Sequence, residues 1–458
     1  MKNDYYGFLA KRAQFDNMTG FEPLWMPSEL FGFQASLTGW AIRKGRAAIL
    51  ADCGLGKSFM QLVWAENVVR KTGLPVLLLT PLAVGPQTLK EAIKFGIDAA
   101  KAVHGQAMSA KVYVTNYEQL HKFNTADFAG VVCDESSILK NFDGSTRDAV
   151  VEFMRTRPYR LLCTATAAPN DYVELGNSAE ALGEMGFQDM VSKFFSKETG
   201  KDHLGWGRTT YKIRGHAETD FWRWVCSWSR AVRKPSDLGF DDGNFVLPPL
   251  TSREHVVSAV RPADGFLFDL PAHTLEEQRE ERRRTLPERC EMVASLVSHK
   301  EPAVAWVHLN EEGDRVSDMV KDSEQLSGSD SDERKEELLG AFASGQLRVL
   351  VTKPVLAGFG LNWQHCAHQT FFPSHSFEQY YQAVRRCWRF GQKKTVTVDI
   401  VTSQGAAGVL ANMQRKADAA EAMFARLVQH MNDTLGLSRS RTFEKKVEVP
   451  KWLASTKK

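Results

Sequence analysis

Ala51-Asp52-Cys53-Gly54-Leu55-Gly56-Lys57-Ser58 is the stretch that decides how this chain folds. An apolar run, Arg46-Ala47-Ala48-Ile49-Leu50, leads into it, and a helix-forming segment follows. Glycines let the backbone curl so that successive N–H groups point inward at phosphate oxygens. The helix that starts there adds its positive end. Gly54, Leu55, Gly56, Lys57 and Ser58 are therefore expected to hold a nucleotide. Lys57 would reach its β- and γ-phosphates, and Ser58 would hold Mg2+. The GxxxxGK[ST] pattern is broken only at its first position, which is Ala51. A chance glycine turn before a helix is the bland alternative, and the strand before and helix after speak against it.

A phosphate loop of this kind needs a carboxylate at the end of a nearby strand. Gly130-Val131-Val132-Cys133-Asp134-Glu135 supplies two. Asp134 is placed to ligate Mg2+, and Glu135 to polarise the attacking water as general base. Further on, Leu162-Cys163-Thr164-Ala165-Thr166 ends another apolar run, and its hydroxyls are candidates to sense the γ-phosphate.

Outward from the loop, short continuous apolar runs recur in two series. Residues 47–50, 76–80, 112–115, 131–133 and 161–163 form the first, and 304–307, 349–352, 370–372 and 396–401 the second. Continuous rather than alternating apolarity predicts strands buried on both faces, hence parallel sheets flanked by helices. Two series predict an α/β protein of two such domains, residues 1–250 and 251–458. Residues 186–247, with Trp206, Trp222, Trp224 and Trp228, read as a mostly helical insertion on the first. Its tryptophans are read as core aromatics, with stacking on bases as the alternative. The mixed-charge run EEQREERRR, 276–284, reads as a solvated helix face.

The second series ends near Gln382-Ala383-Val384-Arg385-Arg386-Cys387-Trp388-Arg389-Phe390-Gly391-Gln392. Arg386 and Arg389 stand three apart on a predicted helix and share a face. Two guanidiniums presented together suit the spread charge of a transferring phosphoryl group. A solvated basic helix is the competing reading, and the position late in a second α/β domain weighs against it.

Composition narrows the class. The 458 residues are 43% hydrophobic and 25% charged, with a net charge of +3. That is ordinary for a globular protein. No apolar run reaches the roughly 18 residues of a membrane span. The N-terminus lacks the apolar stretch of a secretory signal. Seven cysteines without CxxC pairs argue against a disulfide framework and a zinc ribbon. His365, Cys366 and His368 cluster without an apparent fourth ligand, so metal binding is not expected there. A reduced cytoplasmic compartment fits.

Taken in order, these motifs resemble the superfamily-two helicases of the Swi/Snf-type branch, most of all compact phage-encoded DEAD/DEAH-type members. The resemblance covers about residues 30–170 and 300–405. Ala at the first loop position is common in such motors. Phe33-Gln34 with Trp40 resembles the upstream glutamine motif, which implies an adenine contact for Gln34. Thr80-Pro81-Leu82 and Val114-Thr115-Asn116-Tyr117-Glu118 resemble motifs that lie on the DNA backbone. Gly328-Ser329, with Arg334 and Phe342, resembles the loop and helix that touch the other part of the track. Ala357-Gly358-Phe359-Gly360-Leu361-Asn362 resembles the glycine-rich motif linking DNA to ATP, which puts Gly360 at the nucleotide. The run 382–392 resembles the arginine-finger motif almost residue for residue. Nucleic-acid contacts are implied for Thr80, Pro81, Asn116, Thr164, Thr166, Gly328, Ser329 and Thr352.

The resemblance implies two RecA-like domains and a DNA-dependent ATPase, with ATP and Mg2+ bound and duplex or forked DNA as the track. It implies translocation with or without unwinding. The context would be phage or prophage replication or recombination in the bacterial cytoplasm, alongside other proteins of those processes. Two features depart from the family. Ser136-Ser137 follow Glu135 where a His two residues on is usual, and only about 55 residues separate Pro248 from the strand at Val304. An RNA helicase and a non-catalytic nucleic-acid-binding scaffold remain as alternatives. The intact Lys57, Asp134, Glu135, Arg386 and Arg389 speak against the scaffold.

Overall fold

The computed structural model describes residues 18–104, 109–140, 144–166, 172–201, 207–258, 275–357, 362–374, 376–404 and 407–442. Two sheets of wholly parallel strands organise it. The first has the order β3-β4-β2-β5-β6-β1-β9. Its strands are β1 (Arg46–Ala51), β2 (Val76–Thr80), β3 (Ala99–Lys101), β4 (Val112–Asn116), β5 (Gly130–Asp134), β6 (Tyr159–Cys163) and β9 (Ser229–Val232). The second has the order β10-β15-β14-β11-β13-β12. It contains β10 (Leu250–Val257), β11 (Ala303–Trp306), β12 (Ser323–Leu326), β13 (Val349–Thr352), β14 (His368–Phe371) and β15 (Val396–Ser403). The fold is that of two RecA-like domains.

Burial explains why the central strands read as unbroken apolar runs. Val304 and Trp306 of β11 join one core, while Ala303 and Ala305 face another on the opposite side of the sheet. Side chains alternate across a strand, and helices cover both faces, so most positions are apolar on either side. The helices are α1 (Gly32–Lys44), α2 (Lys57–Thr72), α3 (Gly85–Lys94), α4 (Gly144–Arg155), α5 (Leu175–Leu182), α6 (Phe187–Phe194), α7 (Glu218–Trp228), α8 (Leu275–Arg284), α9 (Leu286–Leu296), α10 (Asn310–Met319), α11 (Asp332–Ala343), α12 (Pro354–Ala357), α13 (Phe377–Cys387) and α14 (Ala407–Thr442).

Between the two sheets the chain is less helical than its sequence implies. An antiparallel hairpin, β7 (Phe195–Lys201) with β8 (Gly207–Ile213), precedes α7. Trp222 and Trp228 of α7 are fully buried and Trp224 nearly so, packed around Phe194 and Phe221. They are core aromatics and cannot stack on bases; Trp206 lies outside the described residues. The run EEQREERRR is not wholly solvated, because Glu281 is buried and accepts from Arg284 Nη2 at 2.6 Å.

The last helix ties the two domains together. Met413 of α14 packs in the second core, whereas Met423, Phe424, Leu427 and Met431 pack in the first. Arg426 pairs with Glu218 at the start of α7, and Arg233 lies over the Phe424 ring at 4.8 Å. Among the described residues no helix is long and apolar enough to cross a membrane. All seven cysteines are buried and free.

Candidate active site

β1 runs into the phosphate loop and α2 leaves it, so the loop sits at the carboxyl edge of the first sheet, where α/β proteins bind ligands. Gly54 and Gly56 have φ of 86° and 78°, in the left-handed region that disfavours side chains. Space forbids a Cβ as well. On Gly56 it would stand 2.4 Å from Gln34 Nε2, and on Gly54 3.0 Å from Phe390 N. Gln34 is buried in α1. Its Oε1 accepts from Phe31 N at 3.0 Å and its Nε2 donates to Leu55 O at 2.8 Å, which fixes the amide on the loop itself. Lys57 Nζ donates to Ala51 O at 3.0 Å and to Asp52 O at 3.3 Å. Ser58 follows on the same first turn, half-buried.

Asp134 ends β5, one strand removed from β1 with β6 between them. Its Oδ1 accepts from Gln61 Nε2 at 2.7 Å, and Gln61 stands one turn beyond Lys57 on α2. The Tyr117 hydroxyl donates to Asp134 O at 2.5 Å. Glu135 comes next with φ of 51°, a conformation that costs a residue with a side chain about 1–2 kcal/mol. Strain of this kind concentrates at functional sites. Burial pushes the pKa of both carboxyls up. Lys57 opposes the rise at each, and Gln61 does so at Asp134. Asp134 adds to the rise at Glu135, while Arg386 from the second domain counters it.

The second domain presents α13 to this edge. Arg386 is buried, with Nε donating to Gln382 O at 3.0 Å. Arg389 is half-buried just past the helix, its Cβ 3.4 Å from where a Cβ on Gly54 would lie. Burial first and then Arg386 pull its guanidinium down to about 10, so it stays charged at neutral pH. Two like charges held side by side above a phosphate loop are stabilised when an anion lies between them. Lys57, Asp134, Glu135, Arg386 and Arg389 are thus gathered at one cleft although they come from two cores.

The donors present fit a hard cation. Ser58 offers a hydroxyl and Asp134 a carboxylate, the oxygen ligands that Mg2+ prefers. Glu135 Oε2 and Gln61 Oε1 are buried without a hydrogen-bond partner, so the pocket has acceptor capacity to spare.

Sequence reading overlooked several residues here. Arg385, next to the finger pair, makes a buried ion pair with Asp52 of the phosphate loop, and Tyr381 donates to the same carboxylate. Gln61 and Tyr117 carry no motif letter that would have marked them. Phe245, in the segment before β10, stacks on Phe390 with ring centres 4.6 Å apart and meets Phe31 and Phe33 edge-on.

The residues expected at nucleic acid fall into two groups. Thr80, Thr164, Thr166 and Thr352 are buried. Thr352 Oγ1 donates to Leu326 O at 3.4 Å, Thr164 Oγ1 accepts from Thr166 N at 3.1 Å, and Thr166 Oγ1 reaches Glu378 Oε1 of α13 at 3.1 Å. Pro81 and Asn116 are half-buried, Asn116 Oδ1 accepting from Gln119 N, and Gly328 and Ser329 are exposed. Gly360 lies outside the described residues. At 365–368 the buried Cys366 Sγ donates to His368 O at 3.2 Å. Both ring nitrogens of His368 are engaged, one by His299 at 2.6 Å and one by Asp399 at 2.7 Å.

Fold and site together define a P-loop protein with two RecA-like domains and a cleft lined by both. No family model matches the chain. A stretch of 115 residues is 27% identical to the DNA repair protein rhp54 of Schizosaccharomyces pombe, covering 24% of this chain and 13% of that protein. The chain thus spans only a small part of the curated relative it matches. Among solved structures, the Sulfolobus solfataricus SWI2/SNF2 ATPase core in complex with dsDNA aligns over 84% of this chain and 90% of that one, at 16% identity and a TM-score of 0.42.

Proposed function

We propose that this chain is an ATP-hydrolysing motor of the superfamily-two helicase class, Swi/Snf-type branch, that acts on DNA. One observation carries the reading. A phosphate loop with its acidic partner in the first domain meets two buried or half-buried arginines from the second, and Arg386 acts electrostatically on Glu135 across the cleft. A scaffold would have no need to hold two like charges above a phosphate loop at the cost of desolvation.

In this mechanism the loop N–H groups and Lys57 bind the β- and γ-phosphates of ATP. Gln34, held against the loop, reads the adenine. Mg2+, held by Ser58 and Asp134, would neutralise charge on the phosphates. Glu135 takes the proton of the attacking water, and Arg386 and Arg389 stabilise the charge on the transferring phosphoryl group. Because the arginines belong to the second domain, hydrolysis depends on how the domains sit. DNA that spans both domains would therefore govern the rate and in turn be moved, in translocation on duplex with or without strand separation. Replication or recombination of phage or prophage DNA is the context in which we place it. Support for DNA as the track comes from the stretch shared with a DNA repair protein.

The test is steady-state ATP hydrolysis without nucleic acid and with duplex DNA, single-stranded DNA or duplex RNA. Triplex displacement and strand displacement are measured in parallel. Stimulation by duplex DNA with triplex displacement is the expected result. Stimulation by RNA alone would make it an RNA helicase, and no hydrolysis under any condition would overturn the motor.

A further inference from the structure

Asp52 has no part in the hydrolysis just described, yet it is a buried carboxylate in the phosphate loop. Its Oδ1 accepts from Cys53 N at 2.6 Å. Its other contacts come from the second domain: the Arg385 guanidinium pairs with Oδ2 and the Tyr381 hydroxyl donates to Oδ1. Tyr381 and Arg385 stand four apart on α13, one above the other on the same face. Around them the guanidinium is fixed further, with Nη1 donating to Trp388 O at 3.3 Å and the Trp388 ring 4.8 Å away. Burial disfavours the Asp52 carboxylate, but Arg385 and the hydrogen bonds outweigh it and hold its pKa below the ordinary value.

Two more contacts run along α13 in line with this pair. Glu378, one turn earlier, accepts from Thr166 of the first domain, and Phe390, past the end, closes over Gly54. A buried ion pair adds little net stability, since desolvation offsets attraction. What a planar guanidinium gives is direction, because its donors form a fixed fork. Arg386 follows Arg385 by one residue on the same helix, and Arg389 by four, just past its end. Once Arg385 is docked on Asp52, their placement above the loop follows.

We infer that Asp52, Arg385 and Tyr381 form an interdomain latch that holds the cleft closed, and that Arg385 is a positioning residue setting Arg386 and Arg389 on the phosphate loop. The kinetic consequence rests on the hydrolytic reading above, whereas the structural consequence does not. The test uses the full chain with Asp52→Asn, Arg385→Gln and the exchanged pair Asp52→Arg with Arg385→Asp. Thermal unfolding checks that each is folded. Small-angle scattering without nucleotide reads domain closure, and DNA-stimulated hydrolysis reads kcat and KM. Each single variant should show a larger radius of gyration. Its kcat should fall about 10²-fold, the cost of misplacing a catalytic group by about 1 Å. KM should stay within about threefold, because Lys57, Ser58 and the loop glycines are untouched. The exchanged pair should restore closure and most of kcat. Single variants that keep the wild-type radius, or an exchanged pair no more closed than either, would overturn the latch. If the protein hydrolyses no ATP, scattering alone still decides it, so the two readings fail separately.

Discussion

Glu135→Gln separates binding from chemistry at this site. The substitution keeps shape and removes one negative charge and one base. Glu135 is enclosed, with one carboxylate oxygen lacking any hydrogen-bond partner, and the neighbouring Asp134 is engaged by Gln61. Glu378, which also acts on Glu135, is engaged by Thr166 Oγ1. A general base contributes about 10²–10⁴ in rate. At 1.36 kcal/mol per decade that is about 3–5 kcal/mol of barrier, and the enclosure argues for the upper half. Binding should behave oppositely. Burial and then Asp134 hold Glu135 above the usual glutamate range, so its charge opposes both Asp134 and the incoming polyphosphate. Removing it should leave ATP affinity unchanged or improved. The pH profile gives a further check. The base works only when deprotonated, and its pKa is raised, so wild-type turnover should fall on acidification at a pH above the ordinary glutamate value of about 4.3. Single-turnover hydrolysis beside fluorescent-nucleotide titration measures both effects. A folded variant that loses nucleotide binding, or that hydrolyses at near the wild-type rate, refutes the assignment.

Lys57→Ala should nearly abolish hydrolysis, because it removes the charge that acts on the phosphates and on both buried carboxyls; normal turnover in the purified variant would sink the loop assignment. Arg386→Ala and Arg389→Ala should each remove most of the DNA-stimulated rate, up to the 10³–10⁵ that an arginine finger supplies, with ATP affinity largely intact. DNA binding should be indifferent to sequence, with a log–log salt slope of roughly −0.9 per phosphate contact, and a flat response in a salt titration would count against it. Arg289→Ala should destabilise the second domain by about 3–5 kcal/mol by stranding the buried Glu312, whose Oε1 it meets at 2.7 Å. Burial opposes the Glu312 charge, but Arg289 and the N–H groups of Leu309 and His308 hold its pKa below the ordinary value. This contribution is therefore complete at neutral pH and fades as pH falls through and below about 4.3. Denaturant melts at neutral and acid pH should show the variant's deficit shrinking.

Legibility in the sequence followed burial. Every strand found by reading continuous apolar runs is interior to its sheet. In the two parallel sheets the four overlooked strands, β3, β9, β10 and β12, are the four edges. Three of them are largely open to solvent: β10 buries only Val257 and β12 only Leu326, so neither shows an apolar run. The candidate site was legible where the proposed chemistry fixes residue types at fixed spacing, as in 54–58, 134–135 and 386–389. It was not legible where one residue simply meets another far along the chain. Gln61 could be any polar residue on a helix, and the φ of Glu135 leaves no trace in composition. Asp52 and Arg385 are both visible in the quoted motifs, but nothing in one-dimensional spacing pairs a loop of the first domain with a helix of the second.

Helical geometry explains why three arginines so close together do different jobs. Successive residues on a helix point about 100° apart, so Arg385 and Arg386 cannot share a target. Arg385 faces Asp52, while Arg386 is held by Gln382 O one turn back and acts on Glu135. Arg389, past the end of α13, is freed from the helical direction and lies over Gly54. Its neighbour Phe390 stacks on Phe245, so the segment preceding the second domain is part of the same contact. Any rotation of α13 about its own axis therefore moves all three arginines together. Breaking the Asp52 pair would withdraw Arg386 from Glu135 and Arg389 from the loop in one motion. In the proposed motor, DNA that contacts both domains would need only to tilt this helix to switch hydrolysis, and coupling of that kind asks for no contact between DNA and the phosphates of ATP.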